Sequence, residues 1–316
     1  MSYILHGYDL YNSRLAGGTP LPARPAGIPR AGGAGGPAVE LPVRASAVLA
    51  SDSCALEDLA QMCAVTGEDR QGLVLTAGWS GRWMTAWKAA GLEVACPVAE
   101  MTAFPVAGCE PVRHFTWSTG QRHRPGLQSM TGTGRLHGFE SHAEQRLLLA
   151  LDFLGVREVV SQPHRMRFES SSGPQEHTPD FLAVTCEGTW LLDVRPADLV
   201  KAADRVKFAA SAEAALACGW RYGVVGGWRP HVMTTLDTLS AQRRPLSDPL
   251  GLTGALLSAA AGAPVRFGDL VTATCYPAVA RAFAIHLIWH RALAIDLARP
   301  FGDSALVWRC ATRGGR

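Results

Sequence analysis

Glu144, Asp180, Asp193 and Arg195 are the residues whose types and places in this chain could do chemistry. Glu144 stands three, four and seven residues before Leu147, Leu148 and Leu151, on the apolar stripe of a helix, where a carboxylate requires a partner. Asp180, in His177-Thr-Pro-Asp180-Phe-Leu, opens a strand, and Asp193, in Trp190-Leu-Leu-Asp193-Val-Arg195, interrupts an apolar one. Isolated buried carboxylates are strongly disfavoured, so three of them point to a shared divalent cation, Mg²⁺ or Mn²⁺, held by hard oxygen ligands. Residues i and i+2 of a strand share a face about 7 Å apart, which aims Asp193 and Arg195 the same way. A positive side chain beside such a cation suits phosphodiester hydrolysis, where it steadies the attacking water or the developing phosphorane charge. Each residue also has a plainer reading. Ser141-x-x-Glu144 is a capping box, Pro179-Asp180 is turn chemistry, and Asp193 with Arg195 could be an edge-strand ion pair.

The elements that must position these groups follow from pattern. A helix over 141–154 precedes strands at 164–169, 177–185 and 189–195, separated by Ser-Ser-Ser-Gly-Pro and Cys-Glu-Gly turns. A long helix over 197–217, a strand at 221–225 and a helix over 230–242 complete a mixed α/β sheet flanked by helices. Residues 243–251 read as a linker. Helices over 252–261, 267–274 and 277–298 and a final strand have the order of a small winged helix-turn-helix. The last of these helices, with Phe283, Leu287, Ile288 and Trp289, is more apolar than a groove-reading helix requires, which suggests docking with a secondary DNA role.

In order, the helical glutamate, Pro179-Asp180 and Asp193-x-Arg195 form a variant of the PD-(D/E)xK nuclease signature. Over residues 134–316 the chain resembles the TnsA-like endonuclease subunits of heteromeric transposases. The resemblance is carried by GRLHGFESHAEQRLLLALDFLG, by Ser161-Gln-Pro163, by HTPDFLAV, and by LLDVRP at 191–196. It implies a restriction-endonuclease-like nuclease domain at 111–245 and a winged-helix-like docking and DNA-binding domain at 246–316. It also implies an active site of Glu144, Asp180 and Arg195, with Asp193 two residues before the arginine, and Mg²⁺ or Mn²⁺ as cofactor. The implied substrate is double-stranded DNA at transposon ends, cut on the strand that a partner does not transfer. The implied partners are a DDE-type transposase subunit and an AAA+ ATPase regulator. Arg195 departs from the pattern, which has lysine: an arginine can clamp phosphate but cannot give up its proton near neutral pH. Lys201 and Lys207, in the following helix, could supply a substitute cation. A catalytically silent nuclease-like DNA-binding or assembly subunit explains the arginine equally well, and a stand-alone restriction or repair nuclease fits the same residues.

Residues 1–110 read as an N-terminal extension without a counterpart in that resemblance, disordered to about residue 45. The Gly- and Pro-rich run at 17–37 has too little apolar surface to offset its ordering entropy. Within it, 51–63 is expected to begin a helix, and Trp79, Trp83 and Trp87, four apart, a second short helix whose aromatic stripe serves packing. Arg113, His114, Arg122, His123 and Arg124, interleaved with Phe115 and Trp117, could contact phosphates and stack bases, or form a solvated lead-in strand. The GTGRLHG run at 132–138 lacks the spacing of a nucleotide loop. A net charge of +3 with 18% charged residues disfavours a highly basic histone-like protein, so local patches must carry any nucleic-acid contact. Eight cysteines without a C-x-x-C pair suggest neither a zinc site nor a disulfide framework. The start of the chain does not read as a secretory signal, and the apolar stretch at 279–298 carries too many polar groups to span a bilayer. The expectation is a soluble, cytoplasmic protein with no membrane partner.

Overall fold

The computed structural model describes residues 48–104, 106–113 and 125–310. The segment expected to be disordered to about residue 45 and most of the basic and aromatic stretch after Arg113 lie outside the described residues. The first elements are α1 (Leu56–Leu59), β1 (Ala60–Cys63), α2 (Gly67–Gln71), α3 (Trp79–Arg82), β2 (Met84–Ala89), β3 (Leu92–Pro97) and β4 (Cys109–Glu110). Two expectations are corrected here. The helical spacing of Leu56 and Leu59 lasts one turn, and from Ala60 the chain is extended and pairs as a strand with residues 224–228. Likewise Trp79 alone of the three tryptophans lies in α3, while Trp83 caps it and Trp87 sits in β2. A spacing of four is one helical turn but also two strand repeats, so it fits either element. Trp83, Thr85 and Trp87 alternate inward, each almost wholly buried, so the packing role expected of the stripe is the one observed.

β5 (Gly126–Met130) and β6 (Arg135–Phe139) form a hairpin that delivers the chain to α4 (His142–Phe153). Ser141 caps α4 by accepting the Glu144 N–H at 3.2 Å, and Gly155, at φ +68°, ends it in the left-handed conformation that glycine adopts without strain. There follow β7 (Glu158–Ser161), β8 (His164–Ser170), β9 (Gly173–His177), β10 (Phe181–Thr185), β11 (Gly188–Val194), α5 (Ala202–Ala217), β12 (Arg221–Trp228) and α6 (Val232–Ser240). The strand expected over 177–185 is broken. His177 ends β9, Phe181 starts β10, and between them Pro179 has no N–H to give to a ladder. The helix expected from 197 begins at Ala202, after a short 3-10 turn.

The central sheet has the order β1-β12-β11-β10-β7. Only β11 and β12 are parallel, joined through α5, and the pairs on either side are antiparallel. A second sheet, β3-β2-β8-β9, is built from both sides of the α4 segment and includes β4 at β2. Alternate residues of β10 and β11 feed separate cores. Phe181, Ala183, Trp190 and Leu192 pack with Leu147, Leu148 and Leu151 of α4, whereas Leu182 and Leu191 pack with Ala209 and Ala210 of α5 and with Trp83 and Trp87.

The chain ends with α7 (Leu252–Ala259), β13 (Val265–Arg266), α8 (Phe267–Thr272), α9 (Pro277–Trp289), β14 (Leu293–Ile295) and β15 (Leu306–Arg309), the strands forming an antiparallel sheet β13-β15-β14. The helix expected over 277–298 therefore stops at Trp289. Arg291, at φ +57°, turns the chain, and Leu293, Ala294 and Ile295 are strand residues facing inward on both sides. A third core runs across residues 245 and 246. Leu149 and Phe153 of α4 and Leu236 and Leu239 of α6 pack with Leu256, Phe283, Leu287 and Trp289, and the described residues belong to one compact unit. Among them, no helix is long and apolar enough to cross a membrane.

Candidate functional site

Asp180 lies at the mouth of β10, on the connector between the two larger sheets. Its backbone is fixed on both sides: its N–H donates to the Leu192 carbonyl at 3.1 Å, and its carbonyl accepts the Gln162 N–H at 2.7 Å. Carboxylate oxygen Oδ2 accepts the Val194 N–H at 2.7 Å, and Oδ1 has no hydrogen-bond partner among the described residues. Burial, and then the charges of Asp193 and Glu144, push the Asp180 carboxyl well above the usual carboxylate range, against the pull of the Val194 N–H.

Glu144 is buried at the start of α4. Its Oε2 accepts the Glu140 N–H at 2.7 Å and its Oε1 accepts the Ser141 hydroxyl at 2.8 Å. The exchange with Ser141 is the local capping that Ser141-x-x-Glu144 allows, and it leaves the carboxylate fixed beside Asp180. Burial raises the Glu144 carboxyl pKa, while the two hydrogen bonds pull it down. Glu140, held by Arg113 at 3.9 Å, adds a further negative charge to this corner.

Asp193 is 2% exposed and occupies a different face. As the second residue after Leu191 it points to the α5 side of the sheet, where Oδ1 meets His177 Nε2 at 2.9 Å and Oδ2 accepts the Tyr222 hydroxyl at 2.6 Å. Glu144 projects from α4, which covers the opposite side. Arg195 follows Asp193 onto the α5 side, as the strand period requires, but its partners are the Asp204 carboxylate at 3.4 Å and the Leu199 carbonyl at 3.2 Å. The edge-strand pair between Asp193 and Arg195 is thus replaced by two separate contacts. Lys201 is exposed at the start of α5 and Lys207 is half-buried further along it; neither side chain has an ion-pair partner among the described residues.

Asp180 is therefore the hinge of the cluster, feeling Glu144 from one face and Asp193 from the other. Among the described residues, no group of three or more His, Cys, Asp or Glu side chains is arranged to hold a metal ion. The parity of the strand explains the separation: Leu192 and Val194 look towards α4, so Asp193 between them cannot.

Sequence reasoning passed over His177, Tyr222, Glu140 and Gln162. His177 stands three residues before Asp180, and that proximity was a usable signal. Tyr222 reaches Asp193 only through the parallel β11–β12 register, in which Leu191 faces Tyr222, and no local pattern announces it. Gln162 is 1% exposed with a left-handed φ of +46°, and neither polar atom of its amide has a partner among the described residues. The glycine run at 132–138 contributes one N–H to an internal carboxylate: the N–H groups of Thr131 and Gly132 and the Thr131 hydroxyl all donate to Asp152 Oδ1, at 2.7, 3.0 and 2.9 Å. Compared with known protein families and with curated proteins, the chain matches none.

Proposed function

We propose that this protein is a metal-dependent DNA endonuclease subunit of a heteromeric transposase, acting by phosphodiester hydrolysis on one strand at transposon ends. The observation that carries this reading is Asp180: a carboxylate with one oxygen unpartnered among the described residues, lodged where Glu144 and Asp193 both repel its charge. Such a cluster is stabilised by a cation. The donors fit a hard divalent ion such as Mg²⁺ or Mn²⁺ at the level of two carboxylates, Asp180 and Glu144, since magnesium is commonly held by one or two carboxylates with water and substrate phosphates. When bound, the ion supplies Lewis acidity towards a phosphate oxygen and lowers the pKa of its water. The chain's own part is to hold Asp180 through the Val194 N–H and Glu144 through Ser141 and Glu140.

The arrangement of elements supports the same reading. Helix α4, then the central-sheet strands β7, β10 and β11, then α5 and parallel β12, with β8 and β9 set apart in the second sheet, is an order compatible with a restriction-endonuclease-like core. The succession α7, β13, α8, α9, β14, β15 is compatible with a winged helix, which would dock partner proteins and duplex DNA. A DDE-type transposase and an AAA+ ATPase are the partners this reading assigns. The alternative, a catalytically silent DNA-binding or assembly subunit, is favoured by one observation: the Arg195 guanidinium is tied to Asp204 and Leu199.

Nicking of duplex DNA in Mg²⁺ or Mn²⁺, by the chain alone and with the partner transposase, tests both. Asp180→Ala should reduce nicking to background while duplex affinity is kept or rises, because negative charge facing phosphates is removed. Nicking that survives Asp180→Ala would overturn the endonuclease site. An inert wild type that cuts only as Arg195→Lys would establish the silent reading.

A further inference from the structure

We propose that Asp193 is a positioning residue held in a buried clamp with His177 and Tyr222, and that this clamp, not a metal ion, is what its carboxylate serves. The inference rests on the endonuclease reading of Asp180 for its functional consequence, but its geometry stands by itself. Both Asp193 oxygens are engaged, by His177 Nε2 at 2.9 Å and by the Tyr222 hydroxyl at 2.6 Å, and the side chain is 2% exposed. A metal at Asp193 would have to share an oxygen already hydrogen-bonded, inside a packed interior where Phe208 of α5 lies edge-on to the His177 ring and on the face of the sheet opposite the one that α4 and Glu144 cover.

The clamp reaches Asp180 by two routes. His177 and Asp180 are the ends of one four-residue connector, His177-Thr-Pro-Asp180, which carries the chain from the β8–β9 sheet into the central sheet. Its first residue is pinned by a side chain to Asp193, and its last is pinned through its carboxylate to the N–H of Val194, the next residue along. Adjacent residues of β11 thus staple both ends of the connector. Tyr222 adds the third strand, tying β12 to the same carboxylate. Loss of either donor leaves Asp193 held by one oxygen only, which loosens β11 against the connector and weakens the Val194 N–H contact that aims Asp180. The catalytic consequence is a poorly oriented Asp180 whose own oxygens remain available.

Tyr222→Phe removes one donor and keeps the ring, and His177→Gln retains a donor where His177→Ala does not. Two readouts apply to the full chain. The first, hydrogen exchange, does not depend on activity: Tyr222→Phe and His177→Ala should speed exchange of the Val194 amide roughly tenfold or more, with amides of α7 to α9 unchanged and His177→Gln recovering part of the protection. A Val194 amide as protected in both variants as in wild type overturns the clamp, whatever the protein does to DNA. The second is Mn²⁺-dependent nicking, in which Tyr222→Phe and Asp193→Asn should lower kcat by about tenfold or more and leave the half-saturating Mn²⁺ concentration within about twofold, whereas Asp180→Asn should raise it severely. A rise for Asp193→Asn as large as that for Asp180→Asn would make Asp193 a ligand and sink the proposal. Wild type without metal-dependent nicking would sink the endonuclease reading instead, and the exchange result would still judge the clamp.

Discussion

Asp180 is the residue at which stability and the proposed chemistry oppose each other. Its carboxyl pKa is raised in the folded protein, so between its ordinary value and the raised one the folded chain binds the proton that the unfolded chain has lost, and stability falls as pH rises through that interval. Above it the charged carboxylate sits against Asp193 and Glu144. Asp180→Asn should therefore raise the melting temperature at neutral pH, by about 2–4 °C per kcal/mol for a chain of this class, while severely raising the Mn²⁺ concentration that nicking requires. Mn²⁺ should raise the melting temperature of wild type and leave that of the Asn variant unmoved. Calorimetry showing Asp180→Asn to be destabilised at pH 7 would mean that the Val194 N–H contributes more than the repulsion removes. His164 has the opposite sign. It is fully buried, neither ring nitrogen is hydrogen-bonded among the described residues, and burial, then the nearby His177, push its pKa down to about 3. Its share of stability is complete above its ordinary value near 6.5 and is lost as pH falls towards 3, so His164→Phe should flatten the acid limb of a stability profile over that window. The acids themselves were legible in the sequence, because a carboxylate on an apolar stripe or in an apolar strand is conspicuous. Their division between the two faces of the sheet was not, because alternation put Asp193 and Arg195 together without saying which face of the sheet α4 would cover.

Among the elements, α4 is the one whose ends matter most to the site, because its cap and its candidate ligand are the same pair of residues. Ser141 accepts the Glu144 N–H and donates to the Glu144 carboxylate, so Ser141→Ala removes a helix cap and loosens that carboxylate together. The expected loss is about 1 kcal/mol of stability, the ordinary effect of losing such a cap, accompanied by weaker metal-dependent nicking. Ser141→Thr, which keeps the hydroxyl, should restore both, and an Ala variant with wild-type stability and nicking would show that the cap is dispensable. Stretches whose periodicity had one interpretation, such as α4, α5 and β11, could be read directly. Those with two were misread: Trp79, Trp83 and Trp87 satisfy helix and strand alike, and pairing of β2 with β8 decided for strand. The run from His177 to Thr185 looked continuous until Pro179 divided it between two sheets.

At the scale of the whole molecule, the segment after residue 245 looks in sequence like a separable module, and the packing argues otherwise. Phe153 of α4 meets Trp289 of α9 ring to ring at 5.4 Å, and Leu149, Val232, Leu236 and Leu239 are buried in the same core as Leu256, Leu270 and Ile288. His286 and His290 also reach back to the carbonyls of Gln242 and Arg243, at 2.7 and 3.0 Å. Deleting 246–316 would strip these partners from α4 and α6, and each large apolar side chain returned to water costs about 1.5–3 kcal/mol. A handful of them equals the 5–15 kcal/mol by which a domain is ordinarily stable. Truncation after residue 245 should therefore yield an aggregating or loosely collapsed chain that has lost the proposed nicking, duplex binding and partner recruitment together. Thermal unfolding and size-exclusion chromatography check this: a monomer that melts cooperatively would show that the nuclease-like part needs nothing from the C-terminal helices. If the truncated chain does collapse, the proposed docking and DNA contact must be separated by substitutions on the exposed face of the intact protein, because α4 carries both Glu144 at its start and, at its end, Phe153 in the core shared with α9.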